Sequence, residues 1–268
     1  MAKVIGVRFQ RAGKVSYYDP GDLEVRLLDH VVVETDNGLE LAWVVISPDQ
    51  VVYSEVKEPL KPVLRKATEE DLQRGEDLRA KAATALATTK ELANSLNVPM
   101  RITDAAYTLD GGRLVVQYTA EGRVDFRELL HQTVRQLRVK VQLRQIGPRD
   151  EAKVLGGLGR CGQVLCCARW LTVFSPITMK MAKEQSLPLG AENLAGQCGR
   201  LRCCLRYEYE QYVSMNKDLP RIGEWVMSPH GRAKVIVGHP LKNAVSILLE
   251  SQAMVEIPIS DITRLGRN

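Results

Sequence analysis

Short runs of alternating apolar and polar residues fill the first 56 positions. VIGVRF, KVSYY, HVVVET and LELAWVVI are rich in β-branched and aromatic residues and predict strands. Asp19-Pro20-Gly21 and Asp36-Asn37-Gly38 separate them as turn formers, so a small β unit is expected first. Pro59 to Pro62 reads as a linker. Beyond it, ATEEDLQRGEDLRAKAATALATTKELANSL has acids in its first turn and few β-branched residues, which predicts a long helix closed by Pro99. RITDAAYTL and RLVVQYT then form strands joined at Asp110-Gly111-Gly112. In DFRELLHQTVRQLR, residues Phe126, Leu129, Leu130, Val134 and Leu137 keep helical spacing, and VKVQLRQI returns to a strand pattern. With VVYSEV as a leading strand, the order from residue 51 to 147 is β-α-β-β-α-β, which permits a ferredoxin-like sheet; VVYSEV fits the N-terminal sheet equally well.

Near the C-terminus, GEWVMSP, RAKVIVGH, AVSILLE and MVEIPI repeat the strand pattern, with turns at Pro229-His230-Gly231 and Leu241-Lys242-Asn243. An offset of 193 residues places Val32-Val33 on Trp225-Val226, Gly38 on Gly231 and Val44 on Val237, so the two ends are expected to be similar small barrels. The fold class is thus α+β. Its expected parts are an N-terminal β unit (1–58), a central α+β unit (59–150), a cysteine-rich segment (151–215) and a C-terminal barrel-like β unit (216–268). A chain of 268 residues with 45% hydrophobic and 26% charged residues can bury a core without disulfides. No stretch approaches a membrane span and the N-terminus lacks a leader's apolar run, so the expected compartment is the reducing cytoplasm.

All six cysteines fall between residues 161 and 204, in two copies of one pattern displaced by 37 residues: Cys161-Gly-Gln-Val-Leu-Cys166-Cys167 and Cys198-Gly-Arg-Leu-Arg-Cys203-Cys204. In a reducing compartment such crowding points to ligands rather than to disulfides. Ligands five apart cannot share a helix face, so each segment must curl as a loop, with Gly162 and Gly199 supplying the backbone freedom. Neighbouring cysteines point in different directions, so one of each pair can ligate while the other packs. Cys161, Cys166, Cys198 and Cys203 are the first-choice ligands, with Cys167 and Cys204 as alternates. Residues after Cys204 read as a helix, whose N-terminal dipole favours thiolates. A four-iron four-sulfur cluster and zinc both satisfy the spacing.

Four thiolates around either centre leave a net charge of about −2. The chain's formal net charge of +5 lies wholly within residues 151–206, where Arg160, Arg169, Arg200, Arg202 and Arg206 are placed to balance it. A second group of cations, Arg135, Arg138, Lys140 and Arg144, could contact nucleic-acid phosphates, although aromatic residues do not interleave it. Gly156-Gly157-Leu158-Gly159 lacks the ending of a phosphate loop and reads as a hinge. His30, His131, His230 and His239 show neither metal nor triad spacing, and no paired carboxylates or dinucleotide fingerprint stand out.

The segments YYDPGDLEV, YTAEGRVDFRELL, LRQIGPRDEAKVLGGLGRCG, LCC, MAKEQSLPL, GQCGRLRCCLRYE and SMNKDLPRIGEWV span nearly the whole chain, and in them it resembles the PSP family, named after a polymerase suppressor protein. The resemblance implies a cytoplasmic component of a regulatory complex with RicA-like and RicF-like proteins, which carries iron–sulfur clusters and promotes RNA processing by the endoribonuclease RNase Y. The leading expectation is an iron–sulfur adaptor without catalysis of its own, which by itself binds RNA only weakly. Six cysteines cannot build two separate all-cysteine four-iron sites, which need eight, so a second cluster would take ligands from a partner. The alternatives are a zinc-stabilised nucleic-acid-binding protein and a redox enzyme working through its cysteine pairs.

Overall fold

The structure, a computed structural model, describes residues 4–10, 13–50 and 60–265. It is mixed α and β throughout, and the chain divides into two compact units, Met1–Phe174 with Gln197–Arg200, and Ser175–Gly196 with Leu201–Asn268. None of the helices among the described residues is long and apolar enough to cross a membrane.

The first unit opens with a closed barrel of β1 (Ile5–Arg8), β2 (Ser16–Asp19), β3 (His30–Thr35), β4 (Gly38–Ile46) and β5 (Lys61–Lys66), ordered β1-β2-β5-β3-β4. Inward positions recur with the period of two that a strand imposes: Ile5 and Val7, Val31 and Val33, Ala42 and Val44 join Val63 in one core. The expected β3–β4 turn is present, with Thr35 Oγ1 donating to Gly38 O at 3.1 Å and accepting from Asn37 N at 3.1 Å. Of the expected linker, Lys61 and Pro62 are instead the first residues of β5, and they pair in parallel with β2. That parallel pairing closes the barrel.

Helix α1 (Glu69–Ser95) starts at a capping box in which Thr68 and Asp71 exchange side-chain-to-backbone hydrogen bonds. Asp71 is also held by Arg65, whose guanidinium, with the Thr68 amide, keeps the carboxyl far below the usual range. The helix buries Ala82, Ala85, Thr89 and Ala93, small residues that let it lie close on the next sheet. That sheet is β6 (Arg101–Tyr107), β7 (Arg113–Thr119) and β8 (Lys140–Gln145) in that order; β6 and β7 are antiparallel, and β7 and β8 are parallel, joined through α2 (Arg127–Leu137). VVYSEV lies outside the described residues. The described strand that precedes α1 is β5, which pairs with β2 and β3 in the barrel, and among the described residues the sheet beside α1 has the three strands β6, β7 and β8. Helix α3 (Pro148–Leu155), absent from the sequence reading, follows with proline in its first turn. Arg101 on β6 reaches Glu151 at 3.3 Å.

In the second unit, α5 (Met179–Glu184), α6 (Ala191–Leu194) and α7 (Cys203–Asp218) meet at Ala182, Leu194 and Leu205; α4 (Cys166–Arg169) belongs to the first. Beyond α7, β9 (Trp225–Ser228), β10 (Gly231–His239), β11 (Ala244–Leu249), β12 (Met254–Pro258) and β13 (Thr263–Arg264) form an antiparallel sheet ordered β12-β11-β10-β9-β13. The expected C-terminal barrel is corrected to this open sheet. Among the described residues, strand β13 pairs with β9 over two residues, no parallel strand bridges the edges, and β12 is not paired with β13. One face packs Val226, Ala233, Val235, Val245, Ile247 and Ile257 over Leu219.

Candidate metal centre

The two cysteine segments fold into the same local structure, residue for residue at the 37-residue offset. In the first, Leu158 and Val164 form an antiparallel bridge around a turn, and α4 begins at Cys166. In the second, Ala195 and Leu201 form the bridge, and α7 begins at Cys203. The link from hairpin to helix is repeated as well: Leu165 N donates to Gly157 O at 3.1 Å, and Arg202 N to Leu194 O at 2.9 Å. Gly162 and Gly199 sit at the turns with φ of 74° and 70°, the left-handed region in which a side chain is strained, so the pattern needs glycine there.

Each repeat thereby presents one cysteine at a turn and two at the start of a helix. Cys161 precedes the Gly162 amide that closes its turn onto Gly159 O at 2.9 Å, and its thiol folds back so that a Cβ at Gly159 would lie 3.4 Å from Sγ. None of the six cysteines is in a disulfide. Cys161 is exposed, Cys167 is buried, and Cys166, Cys198, Cys203 and Cys204 are half-buried. Burial pushes the Cys167 thiol up, and negative charge on Cys198 adds to the effect. Within the first unit the tip of the second hairpin lies at the first: Gln197 Nε2 donates to Leu158 O at 3.2 Å, so Cys198 joins Cys161, Cys166 and Cys167. Cys203 and Cys204 belong to the second unit. As the side chains stand, no three His, Cys, Asp or Glu residues among those described are grouped closely enough to hold a metal ion.

The donor set nevertheless suits a thiophilic centre. Six thiols in duplicated turns, each pair at a helix start without a side-chain cap, are the ligands that zinc or an iron–sulfur cluster takes. Arg202, immediately before Cys203, has a buried Nε with no hydrogen-bond partner among the described residues, a donor available to a sulfur or another anion. Arg160, Arg169 and Arg200 are exposed, while Arg206 pairs with Glu210 at 3.0 Å.

A model of the PSP1 C-terminal conserved region matches residues 61–146, and a model of the PSP1-like protein third domain matches residues 176–219. The chain is also 38% identical over 267 residues to the stage 0 sporulation protein YaaT of Bacillus subtilis (strain 168), covering 99% of this chain and 97% of that relative. The chain belongs to the PSP1 family. No solved structure gives a significant match. In this PSP1-family chain, the region matched by the first model runs from β5 through β8, and the region matched by the second ends at the residue after α7.

The four candidate phosphate-contacting cations lie on successive elements of the first unit. Arg135 is in the last turn of α2, Arg138 caps that helix in a left-handed conformation (φ 51°), and Lys140 and Arg144 are on β8. All four are exposed and none has an ion-pair partner among the described residues. Arg144 also lines a cavity of about 840 Å³ with Tyr17, Tyr18, Lys61, Tyr107 and Lys153, a feature the sequence reading missed. The signal for it was the segments YYDPGD and GPRDEAK, whose residues supply two of its walls. Gly156 and Gly157, expected as a hinge before the cysteines, lie where α3 ends and the first cysteine hairpin begins. His239 accepts or donates at Ser246 Oγ, 2.8 Å away, in the C-terminal sheet, away from any cysteine in sequence.

Proposed function

We propose that this chain is a non-catalytic iron–sulfur regulatory adaptor of RicT type, acting in the bacterial cytoplasm. In this reading it works with RicA-like and RicF-like proteins to promote RNase Y-dependent RNA processing. The observation that carries the proposal is the duplicated hairpin-and-helix that presents six thiols in two equivalent settings. Cys161, Cys166, Cys198 and Cys203 are the preferred ligands and Cys167 and Cys204 the alternates. A four-iron cluster, when bound, supplies a centre whose presence depends on iron and on redox conditions. The chain's own residues supply ordering: ligation would fix the turns that carry the cysteines, so metal-binding free energy becomes folding free energy of the cysteine segment.

Anaerobic purification followed by metal analysis and visible spectroscopy tests the centre. Iron with acid-labile sulfide, and a visible band that bleaches on reduction, are expected; stoichiometric zinc without iron would overturn the iron–sulfur assignment. Cys198→Ser should lower the iron content and weaken association with partner proteins, read by co-purification.

One observation favours a second reading, a zinc-stabilised nucleic-acid-binding protein: the unpaired cations Arg135, Arg138, Lys140 and Arg144 along α2 and β8. Phosphate contacts release counterions, so this reading requires affinity that falls steeply with salt. Tight RNA binding by the isolated chain, retained in Cys198→Ser and lost when Arg135, Arg138 and Arg144 become Ala, would replace the adaptor proposal by this one.

A further inference from the structure

The C-terminal sheet has two unlike faces. One is the core described above. The other follows from the register: Trp225 lies opposite Lys234, Lys234 opposite Leu248, and Leu248 opposite Met254, so four side chains form a row across β9, β10, β11 and β12. Met227 and Arg232 form the adjacent row. Trp225 is 41% exposed, Met227 43% and Met254 63%, fractions that large apolar side chains rarely keep in a cluster without use. The Arg232 guanidinium lies over the Trp225 ring, 4.6 Å from its centroid, which holds both side chains in place.

Among the described residues, the charge on this face that has no ion-pair partner is positive. Arg232 and Lys234 are exposed and lack ion-pair partners among the described residues. The acid that shares the face, Glu256 on β12, is engaged by Lys242 at 2.9 Å and lies 3.8 Å from His239. Apolar anchors of tryptophan and methionine type flanked by unpaired cations are the composition of a protein-docking hot spot, with arginine and aromatic residues at its centre. A single-stranded nucleic acid would need several free rings for successive bases, and here one face of the single ring is already covered by Arg232.

We propose that this face docks a partner-protein segment that presents apolar side chains among carboxylates, an acidic amphipathic helix being the simplest form. Trp225, Met227 and Met254 take the apolar side chains, and Arg232 and Lys234 pair with the flanking carboxylates. This assignment rests on the adaptor reading for its biological sense and names the surface through which the adaptor would hold a partner.

The test uses the full chain and three fluorescent probes: a helical peptide with leucines on one face and glutamates elsewhere, its lysine-for-glutamate counterpart, and a short oligouridylate. Anisotropy titration should show saturable binding of the acidic peptide and none of the other two. Trp225→Ala should weaken that binding by about tenfold or more. Arg232→Glu with Lys234→Glu should abolish it and admit the basic peptide. These positions are exposed, so melting temperatures should stay close to the parent; if the double variant fails to fold, Met254→Glu at the sheet edge replaces it with the same expected loss. Absence of saturation by the acidic peptide near about 1 mM, or equal affinity in every variant, would overturn the proposal. Oligouridylate binding that Trp225→Ala removes would overturn it too, and would make the face a nucleic-acid platform. Iron content is read on the same samples. Failure of peptide binding with a full complement of iron removes the docking face alone, whereas peptide binding without iron removes the centre alone.

Discussion

In the first cysteine hairpin the bridging residues Leu158 and Val164 are exposed, and the helix that follows, α4, has four residues. In the second, Leu194, just before the bridge, is buried with Leu205 and Ala182, and the helix that follows, α7, has 16 residues. The backbone pattern is the same; the anchoring is not. At equivalent positions the first repeat carries Gly157 and Ala168 where the second carries Leu194 and Leu205, so the second has the apolar side chains to bind its turn to a core and the first does not. A short helix with no buried leucine behind it gains little from burial, and its order must come from neighbours or from a ligand. Under the proposed centre, the second hairpin is the preformed half and the first is the half that ligation would order.

The largest effect that could break this comparison is on stability. Leu205→Ala removes a fully buried side chain and should cost about 2–5 kcal/mol in the second unit. Leu158→Ala, at a largely exposed position in the first hairpin, should cost no more than about 0.5 kcal/mol in the iron-free protein. Hydrogen exchange during urea titration, which resolves the two segments, measures both. Equal losses would mean that the hairpins are anchored alike.

Much of this was legible beforehand. The 37-residue displacement of the cysteines and the glycine after the first cysteine of each set predicted two equivalent curled segments, and the backbone bears this out at Gly162 and Gly199. Strand positions were legible wherever apolar residues alternate, in β1 to β4, β6 to β8 and β9 to β12. What the pattern could not give was pairing. Lys61–Lys66 has one buried residue, Val63, in an otherwise exposed run, so nothing local marks it as the strand that closes the barrel in parallel with β2. Closure versus an open sheet at the C-terminus likewise depends on which edge a distant strand finds, not on local alternation. Helix α3 drew no expectation, although proline at the first helical position, here Pro148, starts a helix.

A smaller effect sharpens the comparison at the turns. At Gly162 and Gly199 an added Cβ would meet nothing within 4 Å, so alanine there brings only the strain of a positive φ, about 1 kcal/mol. If the turns are equivalent in the iron-free protein, Gly162→Ala and Gly199→Ala should cost the same. In the loaded protein the first should cost more iron than the second, because its hairpin has no buried core to hold the turn while a ligand binds. Iron per chain after anaerobic reconstitution of each variant checks this, and greater loss in Gly199→Ala would reverse the assignment of the preformed half.

The smallest expected effect concerns thiol chemistry. Cys167 is buried, and burial first, then negative charge on Cys198, raises its pKa, so the thiol stays protonated at pH values where an ordinary one ionises. The thiolate is the form that reacts with iodoacetamide, so in the iron-free protein Cys167 should be alkylated more slowly than the exposed Cys161, and its rate should keep rising at alkaline pH after an unfolded thiol has levelled off. The linkage has a definite sign. A folded thiol with a raised pKa contributes stability that is intact below the unfolded thiol's pKa and declines as pH rises from there through the raised value. Cys198→Ser removes the second contribution and leaves the burial, so Cys167 should react slightly faster at a fixed alkaline pH and remain slower than Cys161. Peptide-resolved mass spectrometry of timed alkylation reads every cysteine at once. A Cys167 rate unchanged by Cys198→Ser would separate the tip of the second hairpin from the first.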